Sequence, residues 1–416
     1  MTDRLYYHDS FLYDFEAEVR EVLDSPRPGV ILDRSAFYPT SGGQVFDTGT
    51  ITIEGGAKLR IAEVADGDNG EVVHYIEAER DFDKAALKPG TRVRGQIDSS
   101  RRRDHMQQHS GQHVLSAAFI RLFNMPTVSF HMADEYCSID LDTPTLTKEQ
   151  IESAERLANE IVLENRSVDV RFVTREEAAQ LGLRKLPPTE RDELRLINIR
   201  DFDLCACGGT HVSQTGQIAS VLLRRVEKVR QGWRVEFVAG KRAVATARRD
   251  FTTLTEVAGL FSAHIYDVPQ QARKSLDEIR SLRKLHEQSQ EELAEAQASA
   301  LLAETPETNG RKIVVRVLAD RDLNFTKLLA QKLTRLSPNV VALVATTSPQ
   351  ASLVFAQSAE QPFNMGTLLK ETISKLGGRG GGSKDMAQGG VPNTDGIEAE
   401  LKAVAAIVNV AAAVQG

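Results

Sequence analysis

The chain has 416 residues, too many for one ordinary core, so two to four domains are expected. Hydrophobic residues make up 41% and charged ones 26%, the balance of a soluble globular protein, and no apolar run approaches the ~20 residues of a membrane span. The formal charge of −7 excludes a uniformly basic nucleic-acid binder, yet phosphate contacts need only one positive face.

The opening MTDRLYYHDSFLYDF lacks the basic-then-apolar order of a secretory signal. Cys137, Cys205 and Cys207 are too few for a disulfide framework, and a reducing, cytoplasmic setting with no membrane partner is expected. In chain order, VILDRSAFYPTSGGQVFDTGTITI and KLRIAEVADGDNGEVVHYI read as strands punctuated by Gly, Asp and Asn, which suggests a small β-barrel over 1–98. A helix is expected from Ser99 to about Asn124, strands in TVSFHMADEYCSIDLD, and a second helix from Lys148 to about Asn165. These belong to one α+β domain over 99–248. Residues 249–305 read as a helical or coiled-coil connector, with Leu276, Ile279, Leu282 and Leu285 as a loose apolar stripe. The remainder, 306–416, alternates strands and helices around the Gly-rich loop GGRGGGSKDMAQGG and closes on a helix from Gly396.

Two residue pairs carry the chemistry. His109 and His113 stand four apart on the first long helix, offset by about 40°, so both imidazoles leave one face. In Cys207-Gly208-Gly209-Thr210-His211 the glycines let the backbone turn tightly and bring thiolate and imidazole together. Three imidazoles and a thiolate make a borderline-soft tetrahedral set suited to Zn²⁺, one ion per chain. His105 diverges from His113 by about 80° and is assigned to the surface or to RNA. Cys205 is read as a small buried residue. Arg101, Arg102 and Arg103 form one basic cluster, and the segment from Leu222 to Arg242, with Arg224 and Arg225, forms another. Both are solvated faces or phosphate contacts.

HSGQHVLSAAF followed by CGGTHV resembles the editing domain shared by alanyl- and threonyl-tRNA synthetases. AFYPTSGGQVFDTG resembles the barrel motif preceding the alanyl-type editing domain, and GGRGGGSKDMAQGG resembles the C-terminal DHH-associated domain. Three motifs in the synthetase's order identify the chain as similar to the freestanding, long-form (AlaX-type) alanyl-tRNA editing proteins; as the sequence starts at the barrel, no aminoacylation domain is expected. The resemblance implies hydrolysis, in trans, of tRNA(Ala) mischarged with serine or glycine. It also implies that Ser129 recognises the serine hydroxyl, with Gln112, Gly208, Gly209 and Thr210 near the substrate. The acceptor stem would meet Arg224, Arg225 and the neighbourhood of Trp233, while Arg379 and Lys384 would cradle phosphates. The catalytic group stays unassigned between a metal-bound water and the substrate itself. A homodimer through the connector or C-terminal domain is expected. The rival readings are a DHH-type phosphoesterase, for which no Asp-His-His set is present, a threonyl-type substrate, and a non-catalytic tRNA-binding module with structural zinc.

Overall fold

The computed structural model describes every residue except 26, 55, 78–86, 182, 184–192, 231 and 411–416. The chain divides into two compact units, Met1–Glu256 and Val257–Gly416, both of mixed α and β structure.

The first unit opens with a closed barrel of six strands: β1 (Asp14–Leu23), β2 (Gly29–Leu32), β3 (Gly49–Ile53), β4 (Lys58–Asp66), β5 (Val72–Ile76) and β6 (Arg92–Ile97). They run in the order β1-β2-β5-β4-β3-β6, all antiparallel. Alternation fixes their register: β6 exposes Arg92, Arg94 and Gln96 and buries Val93 and Ile97 against Val19, Val30, Ile51 and Ile61.

Next comes α1 (Ser99–Phe123), started by the Asp98 carboxylate, which accepts the Ser100 and Arg101 N–H groups, and ended by left-handed Asn124. Although polar in composition, α1 is buried continuously from His105 to Phe119. It therefore lies in the core, and its polar side chains must be paired there. Gln108 does this by bonding both the N–H and the C=O of Ala239. Two expectations fail on this burial. Arg102 is no surface cation: its guanidinium is fully buried against Asp47 and donates to the carbonyls of Ser10 and Ala36. His105 is only 1% exposed, and burial, helped by Arg101, Arg242 and Arg102, pushes its pKa down to about 3.

Around α1 stand β7 (Thr127–Met132), β8 (Cys137–Leu141), α2 (Lys148–Leu163), β9 (Val168–Thr174), β10 (Glu193–Ile199), β11 (Asp203–Ala206), β12 (Val221–Val229) and β13 (Gly232–Ala239). They build a four-stranded sheet, β12-β13-β8-β7, and a three-stranded sheet, β9-β10-β11. Helix α3 (Gly240–Leu260) follows β13.

In the second unit, α4 (Val268–Glu304) packs Ala294, Ala298 and Leu302 into a core with Leu329 and Leu333 of α5 (Leu323–Leu336). The stripe expected along its first half is solvent-facing: Leu276, Ile279, Leu282 and Leu285 are 56%, 46%, 56% and 58% exposed. A six-stranded sheet includes β14 (Arg311–Leu318), β15 (Val340–Thr346) and β16 (Ser352–Gln357), with α6 (Met365–Lys375) and α7 (Ile397–Val410) among its helices. The Gly-rich segment is not a loop. It is the hairpin of β17 (Arg379–Gly382) and β18 (Met386–Gly390), which extends this sheet beyond β16. Its glycines permit close backbone contact: a Cβ on Gly380 would come within 2.6 Å of the Gly389 Cα.

Candidate metal centre

The four residues expected to bind metal come together. Donor atoms of His109, His113, Cys207 and His211 lie within 4.8 Å of one another. The His109 and His211 Nε2 atoms stand 3.5 and 3.3 Å from Cys207 Sγ. Zinc–nitrogen and zinc–sulfur bonds of ~2.1 and ~2.3 Å require tetrahedral edges of about 3.5 Å, so these spacings fit a Zn²⁺-sized ion. Burial would push the Cys207 thiol up, but His109, His211 and His113 outweigh burial and hold its pKa well below the ordinary thiol value.

Each imidazole is held from behind at Nδ1. The His109 Nδ1–H donates to Gln44 Oε1 at 2.7 Å, and His211 Nδ1 shares a hydrogen bond with the Ser110 hydroxyl at 3.1 Å. His113 Nδ1 lies 3.2 Å from Cys205 Sγ. This arrangement leaves the Nε2 atoms of His109 and His211 for the centre. Phe130 of β7 stacks on the His109 ring. Gln44 belongs to the Ser-Gly-Gly-Gln turn of the barrel region and also accepts the Thr210 N–H while donating to the Thr210 hydroxyl. Arg195 of β10 clamps the loop from the other side, donating to the carbonyls of Cys207, Gly209 and Tyr7. Cys207 is the least buried of the four residues and, with Gly208, lines a cavity of about 620 Å³ shared with Tyr7, Phe172, Glu193 and Arg195.

Gly208 and Gly209 do not adopt left-handed backbone, so the turn itself does not demand glycine. Gly209 is required by space, since a Cβ there would lie 2.1 Å from His109 Cε1. The Thr210 side chain is occupied by Gln44. Gln112 is buried and donates to Ser116 Oγ, which lies 2.7 Å from the Thr127 hydroxyl. Ser129 alternates with Phe130 along β7 and turns away from the cluster: its hydroxyl donates to Asp140, which also receives Arg234. Of the basic residues, Arg224 pairs with Asp250 and Arg225 with Glu227, whereas Arg379 and Lys384 are exposed on the β17–β18 hairpin without ion pairs among the described residues. Trp233 donates to the Pro144 carbonyl.

Sequence reasoning missed Gln44, Ser110, Arg195, Cys205 and Asp203 as parts of the site. One signal was available: Asp203, Cys205 and Cys207 alternate in D-x-C-x-C, so an extended strand sends all three side chains to one face.

Three family models match in order: "tRNA synthetases class II (A)" over 3–101, "Threonyl and Alanyl tRNA synthetase second additional domain" over 194–235, and "DHHA1 domain" over 300–410. They define the class: the chain carries the domain series of the alanyl-tRNA editing and synthetase-like proteins. More particularly, it resembles the long-form alanyl-tRNA editing proteins; the alanyl-tRNA editing protein AlaX-L of Pyrococcus horikoshii is 29% identical over 94% of this chain and 95% of that protein. The alanine–tRNA ligases of Methanothrix thermoacetophila and Natronomonas pharaonis are 30% and 33% identical over 97% and 98% of this chain, which spans 44% of each ligase. Among the described residues, no helix is long and apolar enough to cross a membrane.

Proposed function

We propose that this protein deacylates mischarged tRNA(Ala) in trans, chiefly Ser-tRNA(Ala) and also Gly-tRNA(Ala), with one Zn²⁺ held by His109, His113, Cys207 and His211. The observation that carries this reading is the convergence of those four donors, drawn from α1 and the loop after β11, onto a point wide enough for one ion. When bound, Zn²⁺ supplies Lewis acidity and a fixed charge for orienting the ester or the amino group of its acyl part. Four protein donors make a closed set, so either role would require one donor to loosen or the coordination to expand.

The remaining work falls to the chain. The cavity beside Cys207 and Gly208 receives the aminoacylated 3′ end, with the Tyr7 and Phe172 rings offering stacking surfaces for its bases. Gln44 and Arg195 hold the Cys207–His211 loop so that its backbone is set before substrate arrives. A site able to bond the serine hydroxyl spares alanine, because alanine leaves that polar group unpaired. Gln112, with Ser116 and Thr127, is the buried polar chain suited to this contact. Arg379 and Lys384 meet tRNA phosphates, with smaller contributions from Arg224 and Arg225, whose charges are already paired. In this reading 1–98, 99–248, 249–305 and 306–416 are the barrel, editing, connector and DHH-associated domains, and the exposed stripe of α4 is the coiled-coil seam of a cytoplasmic homodimer.

Purified protein incubated with Ser-tRNA(Ala) is expected to release serine while leaving Ala-tRNA(Ala) intact, and His113→Ala is expected to abolish release. Intact Ser-tRNA(Ala) at stoichiometric wild-type protein would show a non-catalytic tRNA-binding module instead.

A further inference from the structure

His113 is held differently from the other two histidines. Gln44 and Ser110, both neutral, back His109 and His211. Behind His113 stand a thiol and a carboxylate from one strand: its Nδ1 is 3.2 Å from Cys205 Sγ and 3.6 Å from Asp203 Oδ2. All three residues are buried, at 4%, 5% and 9% exposure. Strand alternation explains the pairing, since Asp203 and Cys205 project from the same face of β11.

We infer that Asp203 and Cys205 are positioning residues for His113, holding its Nδ1 proton so that Nε2 presents its lone pair to the metal. The inference rests on the metal-binding reading above and adds two residues to it. A neutral imidazole carries one N–H, and the nitrogen that faces acceptors keeps it. The Cys205 thiol can donate or accept, but the Asp203 carboxylate only accepts, so the opposite tautomer would set a bare Nδ1 lone pair against a carboxylate in a buried site. A nearby carboxylate also makes the ring a stronger donor to a metal, an effect that Gln44 and Ser110 cannot supply to their histidines.

The test uses the full chain. Zn²⁺ affinity is measured by competition with a chromophoric chelator for wild type, Cys205→Ser, Asp203→Asn and the double variant Cys205→Ala/Asp203→Asn. Nitrogen-15 NMR of the zinc-loaded wild type and variants reads which His113 nitrogen carries the proton. Expected are a proton on Nδ1, near-normal affinity for Cys205→Ser, which keeps an acceptor, and about 10- to 100-fold weaker binding for the double variant. A purely structural role would lower the melting temperature without moving the NMR signature. A proton on Nε2 in wild type, or a folded double variant that holds Zn²⁺ as tightly as wild type, overturns the inference. The NMR result decides it even where the double variant does not fold. Wild-type protein that binds no Zn²⁺ overturns the metal-binding reading itself, a separable result.

Discussion

At the residue scale, burial decides which histidines can carry charge. His74 sits inside the barrel between the Ser35 hydroxyl and the Val30 carbonyl, and burial pushes its pKa down to about 4. The folded chain therefore keeps His74 neutral at a pH where the unfolded chain, near the ordinary 6.5, takes up a proton. Stability from this group is full above 6.5 and is lost as pH falls toward 4, about 2 kcal/mol of it by pH 5. Urea unfolding of wild type should weaken between pH 7 and pH 5, and His74→Gln should weaken less; equal slopes would exclude His74 as the source. The site offers a second residue-scale prediction. Gly209→Ala drives a methyl into the His109 ring, so Zn²⁺ affinity should fall at least about tenfold with circular dichroism unchanged. The four donors were legible because histidine and cysteine are scarce and their spacing speaks directly. Asp203 was not, being one of 58 acidic residues whose role depends on a strand meeting α1 far along the chain. His105 was misplaced for a related reason: helical spacing shows which way a side chain leaves the helix, not what covers it.

At the scale of elements, the helices were readable and the glycine hairpin was not. Helix α2 is marked by its Thr147–Gln150 capping box and by an apolar face that buries Ala154, Ala158, Ile161 and Val162. β17 and β18 have no such local signature, because β18 is held by pairing with β16, far back in the chain, and their glycines answer a crowded backbone rather than a flexible one. Gly111 of α1 follows the same logic in a helix. A Cβ there would approach the Ala239 Cβ to 2.8 Å, so Gly111→Val should cost about 1–3 kcal/mol in urea unfolding by pushing α1 off β13. An unchanged midpoint would mean that the helix and sheet have slack at this contact.

For the whole molecule, the division into two compact units separates two tasks. The four donors and all their backing residues lie within Met1–Glu256, and the hairpin cations lie within Val257–Gly416. Arg379→Gln/Lys384→Gln should therefore weaken tRNA(Ala) binding and flatten its salt dependence by roughly one to two phosphate contacts, leaving Zn²⁺ content at the wild-type level. A fall in Zn²⁺ content would show that the two tasks are not separable.

The spread of the site along the chain also sets when it comes into being. Its parts come from the turn at Gln44, the helix at His109 and His113, and the strand and loop from Asp203 to His211. Of the four donors, a polypeptide still being synthesised offers an ion only the His109–His113 pair until residue 207 has been made, and the set is complete only at residue 211. If the centre holds an ion as proposed, full capture is reserved for chains whose barrel turn and Cys207–His211 loop have already met, and a retained ion would report that the first unit, Met1–Glu256, has folded.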